Sequence, residues 1–178
     1  MIGKETTLHT ATVFVAVCVL LTPGCGNGQE VMELRHFALD SRQGLITTSY
    51  VTTDSTVKVE GAGSLRIEAA SPTRVLLFET GDIDVEDARL IYRARLRTDD
   101  LDGQAYLEMW CAFDQMGEFF SRALQAPLSG ANDWATQETS FFLEAGQNPG
   151  NVKLNLVVDG VGTVWVDDVR LLRGPLSP

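Results

Sequence analysis

Apolar and polar residues alternate along most of the chain after residue 30, which is the period of half-buried β-strands. The clearest alternation covers residues 64–69, 90–97, 105–113, 152–158 and 162–172. Shorter segments rich in β-forming residues predict further strands at 31–39, 47–53, 57–60, 75–79, 119–124 and 136–143. No segment shows a sustained helical period with caps, so the pattern predicts an all-β chain of about nine to eleven strands.

Turn-forming residues separate these segments. Glycine, asparagine, aspartate and proline concentrate at 98–103, 114–117, 129–133 and 146–150. Short strands joined by turns at this spacing predict two antiparallel sheets packed face to face. We expect one β-sandwich domain over residues 31–173, followed by a frayed tail at 174–178.

The amino-terminal residues predict a secretion signal over 1–24. Lys4 supplies positive charge, and the apolar run 11–21 has the length of a signal's hydrophobic region and is short for a membrane span. A small residue before Cys25 resembles a bacterial lipobox, which implies acylation of Cys25 and a flexible linker over 25–30. We therefore expect an extracytoplasmic lipoprotein in the periplasm or at the cell surface. Two alternatives stay open: ordinary cleavage of the signal followed by secretion, or retention of the segment as an anchor helix.

Charge and composition narrow the classes of partner. The formal net charge of −10 argues against nucleic acid, whose phosphates require a basic surface. It also argues against an electrostatic hold on anionic lipid, which leaves a lipid anchor as the expected membrane contact. Cys18 and Cys25 belong to the signal region, so Cys111 alone remains in the domain and no disulfide framework is expected.

Motifs for common enzyme classes are missing from the sequence. His36 is the single histidine expected in the mature chain, and no nucleophile motif lies near it. We find no P-loop, no dinucleotide-binding fingerprint, no His-Glu-x-x-His and no EF-hand loop. We therefore predict a protein that is not an enzyme.

Four segments, in order, resemble the jelly-roll carbohydrate-binding modules and the related galactose-binding-like domains. Residues 54–67 resemble their hairpin ending in G-x-x-S-L-x-I, residues 90–97 their central Y-x-a-x-v-r strand, Asp133-Trp134 their D-W turn, and residues 162–172 their closing strand. The resemblance implies a two-sheet antiparallel jelly-roll β-sandwich and a sugar-binding role. Function does not follow from fold alone.

The same resemblance implies a structural calcium ion. It points to Asp167 in the closing strand, with Asp40 as a partner near the end of the first strand. The family's Phe-Glu at that place is replaced by Phe37-Ala38. The alternative is that Asp167 and Asp168 accept backbone N–H groups or face water.

One predicted face carries candidate ligand-binding chemistry. Alternation in 105–113 turns Tyr106, Glu108 and Trp110 away from the core. A pyranose presents its C–H face to aromatic rings, while carboxylates accept its hydroxyl groups. If the strands predicted at 90–97, 105–113 and 152–158 are neighbours in one sheet, their outer residues form a groove lined by Arg93, Arg95, Tyr106, Glu108, Trp110, Lys153 and Asn155. The alternative is that loops cover the aromatic residues and that Arg95 and Glu108 form an ordinary cross-strand pair.

Three functions remain to be compared. The first is a non-catalytic extracytoplasmic module that stacks a polysaccharide or other glycan on the aromatic face. The second is an envelope lipoprotein that uses the same face to contact a protein. The third is a jelly-roll glycoside hydrolase or lyase, which requires a pair of suitably spaced carboxylates that Glu108 lacks on its own strand.

Overall fold

The computed structural model describes residues 30–176, and within this range the chain forms β-strands and no helix. The eight strands are β1 Met32–Phe37, β2 Val51–Asp54, β3 Ser64–Ala69, β4 Thr73–Thr80, β5 Ala88–Phe113, β6 Gly117–Arg122, β7 Leu128–Leu143 and β8 Asn151–Gly174. All pairings between them are antiparallel. The prediction of an all-β fold is confirmed.

Strands β5 and β8 are the two long strands on which the fold is built, with 26 and 24 residues. They pair along almost their whole length, with one register shift between Arg93 and Arg95 and a second between Asp99 and Asp102. The second shift is the one that matters for the fold. The chain creases at this shift. A Cβ atom at Gly160 would clash with the Asp102 carbonyl oxygen, and one at Gly162 would clash with that of Asp100. Glycine is required here because the two backbones approach too closely for a side chain.

The crease divides the paired strands into two packed layers. Sheet I contains β2, β3, the second half of β8, the first half of β5, and β7, with β1 also pairing the second half of β8. Sheet II contains β4, the first half of β8, the second half of β5, and β6. The result is a two-sheet antiparallel jelly-roll β-sandwich, as predicted.

Three predicted details are wrong. The predicted turns at 98–103 and 129–133 lie inside β5 and β7, and the two predicted strands at 152–158 and 162–172 are both part of β8. Glycines within these segments bend a strand instead of ending it, so there are eight strands instead of the predicted nine to eleven. The predicted strand at 57–60 is a loop whose N–H groups bond to carboxylates instead of a neighbouring strand.

The core lies between the two sheets, and the alternation in the sequence identifies its residues. In sheet I, β5 turns Leu90, Tyr92 and Leu96 inward, and each is completely buried. In sheet II, the inward residues of β5 include Leu107 and Met109, also completely buried. The inward positions are even-numbered before the crease and odd-numbered after it, so the bend changes which side chains face solvent.

Cys111 belongs to this core as a small apolar residue. It is completely buried, and burial raises the pKa of its thiol to about 12. The thiol is therefore protonated at neutral pH and is unsuited to nucleophilic chemistry.

The predicted signal at 1–24 and the acylated Cys25 lie outside the described residues. Within residues 30–176 there is no helix long and apolar enough to cross a membrane.

Tyr92 provides a test of the core. Its hydroxyl group is buried without a hydrogen-bond partner among residues 30–176, and burial raises its pKa. Because an unpaired buried hydroxyl is unfavourable, we expect Tyr92→Phe to keep or raise the free energy of unfolding, by up to about 1 kcal/mol. Chemical denaturation measures this, with Leu107→Ala as a control that should lose about 2–5 kcal/mol. A loss above about 1 kcal/mol in Tyr92→Phe would show that the hydroxyl has a partner.

Candidate functional site

The register of sheet II brings five of the seven predicted ligand residues together. Tyr106, Glu108 and Trp110 on β5 lie opposite Val157, Asn155 and Lys153 on β8, respectively. These side chains belong to the outward-facing set of both strands, because the alternate residues form the core. We call this surface the Glu108 face.

Glu108 is the centre of this face. It is 0% exposed, and its two carboxylate oxygens accept hydrogen bonds from several side chains. Arg74 Nε lies 2.9 Å from Oε1, and Arg122 Nε lies 2.7 Å from Oε2. Trp110 Nε1 donates to Oε1 at 2.8 Å, and Asn155 Nδ2 donates to the same oxygen at 3.4 Å. A buried carboxylate is tolerated when it is paired and hydrogen-bonded in this way.

Trp110 and Phe120 form the aromatic part of the Glu108 face. They are opposite each other on β5 and β6, with ring centroids 4.9 Å apart. The bond to Glu108 fixes the orientation of the indole, which is partly exposed. Phe120 is 48% exposed, and the Arg122 guanidinium lies 4.4 Å from its ring centroid. The arrangement is a pre-oriented aromatic surface bordered by an arginine.

The remaining predicted residues of this face are less available to a ligand. Asn155 is buried, and Tyr106 is only 8% exposed, so its ring offers little open surface. Lys153 Nζ lies 2.7 Å from Glu118 Oε1. The hydrogen bond that Lys153 donates to Glu118 raises the pKa of Lys153.

Arg93 and Arg95 are not part of the Glu108 face. They lie before the crease, on the outward side of sheet I, where Arg93 pairs with Glu138 at 2.8 Å and Arg95 donates to the Trp134 carbonyl oxygen. The predicted groove of seven residues is therefore wrong. It required the strands to be neighbours in one sheet, but the crease puts Arg93 and Arg95 on sheet I and the other five residues on sheet II. The proposed Arg95–Glu108 pair is also wrong, since Glu108 pairs with Arg74 and Arg122.

Three residues of the Glu108 face were missed from the sequence: Arg74, Phe120 and Arg122. Outward-facing alternation in residues 118–122 could have identified Phe120 and Arg122, because the neighbouring strand alternates in the same way. Arg74 carries no local signal. It reaches Glu108 because β4 pairs with β8, which is a contact between distant parts of the chain.

The two residues predicted to bind calcium both hold the loop between β2 and β3. Asp167 is completely buried, and it accepts N–H groups from Val59 at 2.7 Å, Glu60 at 3.3 Å and Asp168 at 2.8 Å. Asp40 accepts the Ala62 N–H. Backbone N–H groups thus occupy positions that a cation would need. These hydrogen bonds favour the alternative that the closing-strand carboxylates accept backbone N–H groups. Calcium at Asp167 and Asp40 stays a prediction.

Asp54 holds the same loop from its other end. Its carboxylate accepts the N–H groups of Thr56 and Val57, and Trp165 Nε1 donates to it at 2.9 Å. The hydrogen bond from the Val57 N–H contributes most to lowering the pKa of Asp54, and the bonds from Trp165 and Thr56 act in the same direction. Three carboxylates therefore hold the loop between β2 and β3, and two of them, Asp54 and Asp167, bond to residues 57–60 in place of a neighbouring strand.

His36, Glu60 and Asp168 form the one group of three possible metal ligands found between residues 30 and 176. His36 Nε2 lies 3.1 Å from a carboxylate oxygen of each acid. Arg170 Nε lies 2.6 Å from the same Asp168 oxygen. The cluster is consistent with an ion-pair network, since the guanidinium occupies a position close to where a cation would bind.

Comparison with solved structures gives several matches that cover similar shares of this chain. A CBM22 module joined to a xylanase 10B GH10 module of Clostridium thermocellum, solved with xylohexaose, matches with a TM-score of 0.60 and 13% identity over 80% of this chain. The CBM22-1 xylan-binding domain of Paenibacillus barcinonensis Xyn10C matches with a TM-score of 0.56 and 12% identity. The fold is that of the jelly-roll carbohydrate-binding modules. A family 16 carbohydrate-binding module also matches, with a TM-score of 0.56 and 11% identity.

These matches differ in how much of the matched protein they cover. The chain covers 97% of the Paenibacillus domain with 83% of its own length, and 94% of the family 16 module with 75% of its own length. It spans only 28% of the longer Clostridium chain, which includes the GH10 module. No family model matches the sequence, and no curated protein matches it. At these identities the likeness establishes the carbohydrate-binding-module fold alone.

We expect Glu108→Gln to lower the free energy of unfolding by about 1–3 kcal/mol. The amide keeps the shape but leaves Arg74 and Arg122 without their shared negative charge. Chemical denaturation measures the change, with Glu138→Gln as the matched control, since its pair with Arg93 is partly exposed and should be worth less than about 1 kcal/mol. Equal losses in the two variants would contradict a structural centre at Glu108.

We expect Asp167→Ala to lower the free energy of unfolding by about 2–4 kcal/mol, because three backbone N–H groups lose their acceptor. Thermal melts of both proteins, with calcium and with chelator, measure the effect and test the ion. A midpoint that calcium raises in the parent protein but not in Asp167→Ala would support calcium. A negligible loss would contradict the loop-holding role.

Proposed function

We propose that this protein is a non-catalytic carbohydrate-binding module that binds a glycan on the Glu108 face. The observation that carries the proposal is Trp110, a partly exposed ring on the outer face of a sheet, held in one orientation by its bond to Glu108. Sugars stack on such rings through their C–H faces, and a fixed ring loses little entropy on binding.

The comparisons support this proposal through the fold. The Clostridium structure contains xylohexaose and the Paenibacillus domain is described as xylan-binding. For this chain, a polysaccharide ligand is a proposal that rests on the Glu108 face itself. Phe120 beside Trp110 extends the aromatic surface, and Arg74 and Arg122 supply N–H donors for sugar oxygens.

Glu108 has a different role from the one its position suggested. Its oxygens already accept hydrogen bonds from four side chains, so it holds the face together instead of accepting sugar hydroxyl groups. The same saturation favours a non-catalytic role. Glycoside hydrolysis needs an available pair of carboxylates, and Glu118, the nearby acid on β6, is paired with Lys153.

A second function, contact with a partner protein, is favoured by one observation. Phe119 and Phe120 on β6 are each 48% exposed, and Met116 in the preceding turn is 50% exposed. Exposed apolar residues along an edge strand are typical of protein contact surfaces. An extracytoplasmic location with a lipid anchor at Cys25 suits both functions and remains part of the proposal.

We expect Trp110→Ala to abolish or strongly weaken glycan binding, because covering one large apolar ring contributes about 1.5–3 kcal/mol of binding free energy, which is roughly tenfold or more in affinity. A glycan array and a pull-down with insoluble polysaccharides measure the effect. Phe142→Ala is the matched control, since Phe142 is 56% exposed but lies on sheet I. No binding by a folded parent protein, or equal binding by both variants, would contradict the proposal and leave protein contact as the better one.

A further inference from the structure

Two arginines share one carboxylate on the Glu108 face. Arg74 reaches Glu108 with Nε at 2.9 Å and Nη2 at 3.4 Å, and Arg122 reaches it with Nε at 2.7 Å. Two guanidinium groups carry two positive charges at neutral pH, and Glu108 supplies one negative charge. The trio therefore keeps a formal charge of about +1.

The other charged residues that the register places on this face form a separate group at its Trp110 end. Lys153 is paired with Glu118, and Glu79 lies opposite Lys153 in the register of β4 and β8. This group carries a formal charge of about −1, so the excess positive charge belongs to the Arg74 and Arg122 end and not to the whole face. The positive charge at Arg74 and Arg122 is notable because the chain as a whole carries −10.

Both arginines present unused donors to solvent. Arg74 is 52% exposed and Arg122 is 30% exposed, whereas Glu108 beneath them is 0% exposed. Arg122 Nη atoms donate to no acceptor among residues 30–176, and Arg74 Nη1 is likewise free there. A guanidinium anchored at one edge by a buried carboxylate is pre-oriented, so little rotamer entropy is lost when a ligand binds.

The chemistry of these donors selects the class of ligand. Guanidinium groups form their strongest hydrogen bonds with carboxylates, often with two parallel bonds. Neutral hydroxyl groups accept weaker bonds and gain nothing from the excess charge. The aromatic surface of Trp110 and Phe120 adjoins the arginines, because Arg122 lies over the Phe120 ring.

We propose that the Glu108 face binds an acidic saccharide, with a hexuronate carboxylate on Arg74 and Arg122 and a pyranose ring on Trp110. This inference rests on the proposed function, since it names the ligand class of the same face. Arg74 and Arg122 select for the carboxylate, and Glu108 is a positioning residue that orients both.

The test compares neutral and acidic polymers in pairs: xylan with glucuronoxylan, galactan with polygalacturonate, and mannan with polymannuronate. We expect the purified chain to bind the acidic member of at least one pair about tenfold more tightly than the neutral member. We expect Arg74→Gln to remove this preference, because the change lowers the affinity for the acidic member more than the affinity for the neutral member. The preference should weaken as salt is raised from about 0.05 to 0.5 M, because the arginines are partly exposed.

Controls separate charge from folding. Arg93→Gln is the matched control, since Arg93 is similarly exposed but pairs with Glu138 on sheet I. Arg74→Lys keeps the charge without the planar donor pair and should keep part of the preference. Arg122→Gln provides the second variant should Arg74→Gln melt at a lower temperature than the parent.

The outcomes distinguish this inference from the proposed function. Binding that requires Trp110 but shows equal affinity for acidic and neutral polymers overturns the acidic ligand and leaves a neutral glycan module. A preference that survives in both Arg74→Gln and Arg122→Gln overturns the assignment to these arginines. Failure to bind any polymer overturns both proposals.

Discussion

The crease in the paired strands β5 and β8 is the constraint on which the other features depend. Two strands of 26 and 24 residues cross from one sheet to the other without a loop, so the sandwich is one hydrogen-bonded sheet bent onto itself. Gly160 and Gly162 permit the bend because a side chain at either position would clash with the opposite backbone. The bend also decides which residues share a surface, since it separates Arg93 and Arg95 from Trp110.

The Glu108 face shows how a buried charge organises a surface. Removing a carboxylate from water is unfavourable, so Glu108 requires donors on both oxygens. Those donors come from β4, β5, β6 and β8, and each is a side chain on the outward-facing side of its strand. Satisfying one buried acid thus fixes an indole and two guanidinium groups at the same time. The rigidity that the proposed glycan binding requires therefore follows from the electrostatic requirement of Glu108.

The sequence predicted the layers and the inward residues well, because period-two alternation is a local property that burial enforces. Leu90, Tyr92, Leu107 and Met109 are all core residues, as their spacing indicated. It predicted the ends of the long strands poorly, since glycine is equally suited to a turn and to a bend within a strand. For the site, alternation identified Trp110 and Glu108. It could not identify Arg74, whose contact with Glu108 depends on the pairing of β4 with β8.

Two buried carboxylates in this molecule, Asp167 and Glu108, accept hydrogen bonds from different kinds of donor. Asp167 accepts backbone N–H groups of the loop between β2 and β3, and each of these groups makes its hydrogen bond within the fold. Glu108 accepts mainly side-chain donors, and two of these are guanidinium groups with far more hydrogen-bonding capacity than one acid can use. The first arrangement is complete when the protein folds. The second leaves donors and charge at the surface beside an aromatic ring, where a ligand carrying acceptors can complete it.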